Sequence, residues 1–301
     1  MVKPKKKSVP SKRNYRFWRS QRDNTDLPNS WQILGRAYQL LAAHWRKIGA
    51  ITLIYGLLYV LLVRVAPTVS LDDYREVVDE FLGGNESEFV RTLTLVGVAL
   101  GTANQGLDDI RLLYGLVLFI VFSLVLIWVF RRLMAGKAVS IRDALYSSQT
   151  PLIAFFTILA VASLQILPFA AGGLVYSIAN VQDIAVTPAE DLLFSGFWLA
   201  AAFLSGYWLV NTIMASYAVT LPGMYPMAAL RATKKLVTKR RWFLLRKILF
   251  LPLILALIFI VLFLFIVVVA PGAVYGFIDL CLILSLPVVH AYYYQLYRSL
   301  V

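Results

Sequence analysis

Six long stretches of the chain are almost continuous hydrocarbon, and most polar residues gather between them. The stretches fall at 48–66, 110–130, 152–177, 192–219, 248–269 and 273–294. Each is near the roughly 20 apolar residues that a helix needs to cross a bilayer. None shows the two-residue alternation of a barrel strand. The pattern predicts an all-α, polytopic transmembrane helical bundle of six spans. The third stretch carries Pro168 and Gly172-Gly173, which would either break the span, as at transporter sites, or only kink it. The sixth carries Asp279, Pro287 and His290.

Shorter amphipathic stretches precede the odd spans. Residues 30–41 lead through His44-Trp45-Arg46-Lys47 into span one, 140–146 lead into span three, and 226–232 lead into span five. Pro222 and Pro226 stand where a helix would start. Met227, Leu230, Lys234, Val237 and Arg241 then fall three or four residues apart, which predicts a helix. Amphipathic interfacial helices before spans one, three and five are therefore expected. The chain reads as a three-fold repeat of one interfacial helix and one two-span hairpin. A basic lead-in needed by any odd span is the simpler alternative.

Composition agrees. The chain is 60% hydrophobic with a mean hydropathy of +0.73, against roughly 45–50% apolar in an ordinary soluble domain. The excess must face lipid. Net charge is +13, and it is segregated. Lys and Arg crowd the tail from Lys3 to Arg22, recur at Arg36, Arg46 and Lys47, follow span two at Arg131, Arg132, Lys137 and Arg142, and peak in RATKKLVTKRRWFLLRKILF at 231–250. Acids hold the opposite ends of the spans: 72–88, Asp108, Asp109, Asp183, Glu190 and Asp191. By the positive-inside rule this alternation fits six spans with both termini cytoplasmic, and a five- or seven-span count breaks it. A multi-pass protein of a bacterial inner (plasma) membrane is expected. Residues 1–29 lack the apolar core and cleavage site of a signal peptide and read as a basic, disordered cytoplasmic tail. Residues 30–301 read as the membrane domain.

The loop at 67–109 is the one long external segment. It predicts a short helix from Ser70, with Leu71, Tyr74, Val77, Val78 and Phe81 as its apolar stripe. Residues 89–100 are apolar but short for a span, and read as a surface or re-entrant helix.

Two segments carry a resemblance. They are Ser30–Lys47 and MYPMAALRATKKLVTKRRWFLL at 224–245. With the six-span layout, they resemble the YciC-like bacterial membrane proteins and the membrane domain attached to some glycerophosphodiester phosphodiesterases. The resemblance implies the layout and little chemistry. The phosphodiesterase domain found beside some members has no counterpart here.

Catalytic signatures are missing. There is no H-E-x-x-H, Walker A or G-x-S-x-G pattern, one cysteine (Cys281) and two histidines. No cofactor, metal or enzymatic activity is expected, and Asp72-Asp73 and Asp108-Asp109 lack a partner motif for Mg²⁺. Intramembrane polar groups are the default functional candidates, because burying them is costly. These are Asp279, His290, Asn211 and Gln165, with Arg64, Arg111 and Asp109 placed to meet Asp279 near the outer face. Asp279 reads as an ion pair first and a transport site second. His290 reads as a histidine bonded to a neighbouring helix, with a proton path as the alternative. Asn211 and Gln165 read as interhelical hydrogen-bonding groups. The basic run offers lipid headgroup contacts: Lys234, Lys235, Lys239, Arg240, Arg241, Arg246 and Lys247, with Arg46 and Lys47 at span one. The expected function is a non-enzymatic membrane component that binds anionic lipid, a membrane-protein partner or a second copy of the chain. A small permease using Asp279 and His290 is the alternative, a lipid-modifying enzyme comes behind both, and nucleic acid is not expected.

Overall fold

The computed structural model describes residues 27–64, 109–181, 187–238 and 240–301, and within these every side chain but those of residues 109–112, 180, 181 and 271. The readings at 1–26 and 67–108, including the Ser70 helix and residues 89–100, lie outside the described residues. The regular structure described is helical: α1 (Ser30–Ala43), α2 (Trp45–Val63), α3 (Asp109–Met134), α4 (Ile141–Ser147), α5 (Leu152–Val181), α6 (Pro188–Ala218), α7 (Pro226–Val237), α8 (Arg241–Val269) and, after a 3-10 turn at Pro271–Ala273, α9 (Val274–Leu300). Six of these, α2, α3, α5, α6, α8 and α9, are long and apolar enough to cross a membrane. The short helices α1, α4 and α7 precede the first, third and fifth of them, as the pattern predicts.

Helix ends follow local chemistry. Asn29 opens α1, its backbone N–H donating to Gln32 Oε1 at 3.1 Å, which satisfies one of the groups a helix start leaves free. The chain leaves helical geometry at His44 (φ −123°, ψ 24°), so α1 and α2 are separate helices. α6 starts at Pro188, earlier than the predicted 192. A Thr187-x-x-Glu190 capping box sets that start, with Thr187 N–H to Glu190 Oε2 at 2.9 Å and the reciprocal bond at 3.4 Å. α8 starts at Arg241, not 248. The basic lead-in is thus its first two turns, since Arg, Lys and Leu are good helix formers and long basic stems can snorkel to the interface.

α5 runs unbroken through Pro168 and Gly172-Gly173, so the broken-span reading gives way to a continuous helix. Packing explains it. Near the proline, the Phe169 N–H is taken by the Ser205 hydroxyl of α6 at 3.1 Å. A Cβ on Gly172 would stand 3.1 Å from the Ala201 Cβ, and one on Gly173 would stand 3.3 Å from Trp198 Nε1. The glycines let α6 approach, and the Trp198 ring stacks on Phe169 and Tyr176 at 5.8 and 5.5 Å between centroids.

Consecutive spans pair as hairpins: α2 with α3, α5 with α6, and α8 with α9. Each short helix packs on the second span of a neighbouring hairpin. α4 lies on α3, α7 on α6, and α1 on α9. The last contact closes a ring that starts at the first unit and returns from the third. The centre belongs to α3 and α9. In their most apolar stretches 61% and 44% of residues are buried, against 6% in α8.

Candidate functional site: polar groups within the bundle and a basic end

Asp279 sits one and a half turns into α9, facing α2. Arg64, at the end of α2, donates to its Oδ1 from Nη2 at 2.9 Å and from Nε at 3.2 Å. Both side chains are mostly shielded, at 18% and 13% exposure. Tyr59 interacts with both members of the pair. Gly56 makes the approach possible, because a Cβ there would stand 3.3 Å from Ile283 of α9. Asp109 and Arg111, the other expected neighbours, lie outside the described side chains.

His290 is buried further along α9. Its Nδ1 lies 3.0 Å from the Tyr217 hydroxyl of α6, and its Nε2 lies 2.9 Å from the Ser123 hydroxyl of α3. A neutral imidazole has one donor and one acceptor nitrogen, and hydroxyls can serve either, so each ring nitrogen has a fitting partner. One residue thereby ties together the second, fourth and sixth spans. Asp279 and His290 share α9 but engage different helices.

Gln165 accepts from the Thr212 hydroxyl at 2.7 Å, joining α5 to α6. Asn211 Oδ1 accepts from the Thr233 hydroxyl at 2.9 Å, joining α6 to α7. The buried stripe of α7 is accordingly Ala229, Thr233 and Val237, while Met227 is exposed. The spacing of Met227, Leu230, Lys234 and Val237 predicts the helix, and the structure decides which of its faces is buried. Small side chains let α7 come close enough for Thr233 to reach Asn211.

Pro252 interrupts the hydrogen bonds of α8. It has no N–H, so it leaves the Ile248 carbonyl without its helical donor. Tyr293 of α9 donates its hydroxyl to that carbonyl at 3.1 Å, and Tyr292 donates to the Lys247 carbonyl at 2.8 Å. Hydropathy alone does not mark these tyrosines for this use. A Pro facing a Tyr-Tyr pair on the adjacent span is the signal that could have suggested it.

The short helices and the first turns of α8 share one end of the bundle. Arg46, Lys47, Lys234, Lys235 and Arg246 are exposed there. Trp31, Trp45, Trp242 and Phe243 are exposed beside them. Three further cations at this end are engaged within the protein. Lys247 Nζ donates to the Pro28 carbonyl at 2.6 Å, Arg131 donates to the Thr220 carbonyl, and the Arg241 guanidinium sits 4.5 Å over the Tyr207 ring. Arg240 is half-buried, and Lys239 lies outside the described residues. Among the described residues Asp143 is the sole acid at this end. No group of three or more His, Cys, Asp or Glu is placed to hold a metal among them.

No family model, curated protein or solved structure matches the chain.

Proposed function

We propose that the protein is a non-enzymatic membrane component that binds anionic lipid through its basic end, which faces the cytoplasm. The observation that supports this reading most is the clustering at one end. Exposed Arg and Lys from α1, α2, α4, α7 and α8 stand beside exposed tryptophans, with one described acid among them. Tryptophans sit at headgroup level, and each basic residue near an anionic surface contributes about 1 kcal/mol. The likeness in layout to the YciC-like group is carried no further than layout. The permease reading draws less support, since Asp279 is matched by Arg64, His290 is bonded on both nitrogens, and α5 is continuous.

Reconstitution into nanodiscs tests this. The melting temperature should rise with the phosphatidylglycerol fraction and the gain should shrink at high salt, because exposed charges are screened. Neutralising Lys234, Lys235 and Arg246 should cut the gain. A melting temperature indifferent to anionic lipid would remove the reading.

A further inference from the structure

The basic end is not uniform. Some of its cations have a partner within the protein or stand over their own helix, as Arg46 does on Trp45 and Arg132 on Trp128, and others, such as Lys234, Lys235 and Arg246, are exposed. Arg36 and Arg298 are set apart by where they meet. They come from α1 and α9, far apart in sequence, and converge on one cleft of about 300 Å³ with Gln295 and Ser299. Both arginines are exposed, and neither has a carboxylate within ion-pair distance among the described residues. Gln295, Arg298 and Ser299 fall at i, i+3 and i+4, so they share one face of α9. The cleft thus offers two guanidiniums, an amide and a hydroxyl, and no acid lines it. That donor set suits a phosphate group: guanidinium forks bind its oxygens two at a time and the Gln295 amide can reach a remaining lone pair, while the Ser299 hydroxyl donates to the Leu296 carbonyl at 2.7 Å and would have to turn to join them.

The depth of the cleft follows from α1. Ile33 and Ala37 are buried, while Trp31 and Tyr38 are exposed beside an apolar groove that also takes in Leu34, Gly35 and Val288. Arg36 lies two residues from Tyr38, about 160° around the helix. An α1 lying flat with its aromatic flank in the hydrocarbon boundary would turn Arg36 to the headgroup side. Val288 and Arg298 mark the same order along α9.

We infer that the cleft between α1 and the end of α9, lined by Arg36, Gln295, Arg298 and Ser299, is a phosphate-binding site that holds the headgroup phosphate of an anionic glycerophospholipid. This rests on the proposed lipid-binding reading and narrows it from a charged surface to one site.

The test is native mass spectrometry of the full chain released from nanodiscs of mixed phosphatidylglycerol and phosphatidylcholine. Wild type is expected to keep one phosphatidylglycerol more tightly than the rest. Arg36→Gln with Arg298→Gln should weaken that retention roughly thirtyfold, the effect of two basic contacts. Arg36→Lys with Arg298→Lys keeps the charge and loses the fork, and should fall between. Lys234→Gln with Lys235→Gln should lower total lipid load but spare the tight lipid. Melting temperatures in detergent check that each variant folds. Tight retention unchanged in the glutamine pair, but lost in the Lys234 and Lys235 pair, overturns the site and leaves the broader reading standing. If no variant retains lipid but inorganic phosphate binds wild type and not the glutamine pair, the broader reading and the lipid assignment both fall, and the cleft is a site for soluble phosphate. Retention of neither lipid nor phosphate overturns both.

Discussion

Two buried polar residues of α9 hold partners on other helices, and the charge pattern offered Arg64 for Asp279 but nothing for His290. Asp279 pairs with Arg64 across 215 positions of sequence. Asp279→Asn leaves a shielded guanidinium poorly matched and should cost about 2 kcal/mol, reduced from the fully buried case by residual exposure. Replacing both residues with Leu should recover most of that loss. Unfolding titrations in mixed micelles read both values, and an unaltered Asp279→Asn protein would deny the pair a stabilising role. His290→Phe should cost about 1–3 kcal/mol, because it strands the Ser123 and Tyr217 hydroxyls in a low-dielectric interior. Ser123→Ala with Tyr217→Phe in the same background should restore part of it. The sequence marked Asp279 and His290 as expensive in hydrocarbon. It did not mark Ser123 or Tyr217, since one hydroxyl in an apolar run can also bond within its own helix, as Thr52 does to the Ile48 carbonyl at 2.9 Å.

At the scale of the helix, interruptions are repaired by the neighbouring helix. Tyr293 serves a carbonyl that Pro252 has left free. Tyr293→Phe should therefore cost about 1 kcal/mol in the natural background and much less in a Pro252→Ala background, where the new N–H takes the carbonyl. A double-mutant cycle by thermal unfolding measures the coupling, and additive effects would show that the tyrosine is not compensating for the proline. The α5–α6 hairpin depends on backbone approach. Gly172→Val should cost about 1–3 kcal/mol by overpacking against Ala201, whereas Gly196→Ala, which meets nothing within 4 Å, should be tolerated. Differential scanning fluorimetry of the two variants separates them.

For the whole molecule, the short helices link the three hairpins to one another. Each short helix is seated on the second span of a neighbouring hairpin, and α1 closes the circle on α9. His290 then joins the even-numbered spans from within. Orientation is the global property most open to test. In a Cys281→Ser background, a cysteine replacing Lys235 should react with an impermeant maleimide only after the cells are opened. One replacing Ala189 should react in intact cells. The reverse pattern would invert the charge-based topology.

The sequence by itself determined the six apolar spans and the three short helices before the odd ones. Lipid exposure demands long uninterrupted hydrocarbon, and interfacial helices demand amphipathic periodicity, and both are written along the chain. It placed helix ends less well. Thr187-x-x-Glu190 was readable as a capping box, but the start of α8 within basic residues was masked by their polarity. Only the tertiary structure decided which helices pair, which small residues face each other, and which hydroxyl answers each buried polar group. Those outcomes depend on distances between segments far apart in sequence, and hydropathy cannot order helices that are apolar on nearly every side. The convergence of Arg36 and Arg298 on one cleft belongs to the same class, because each alone is an ordinary interfacial arginine.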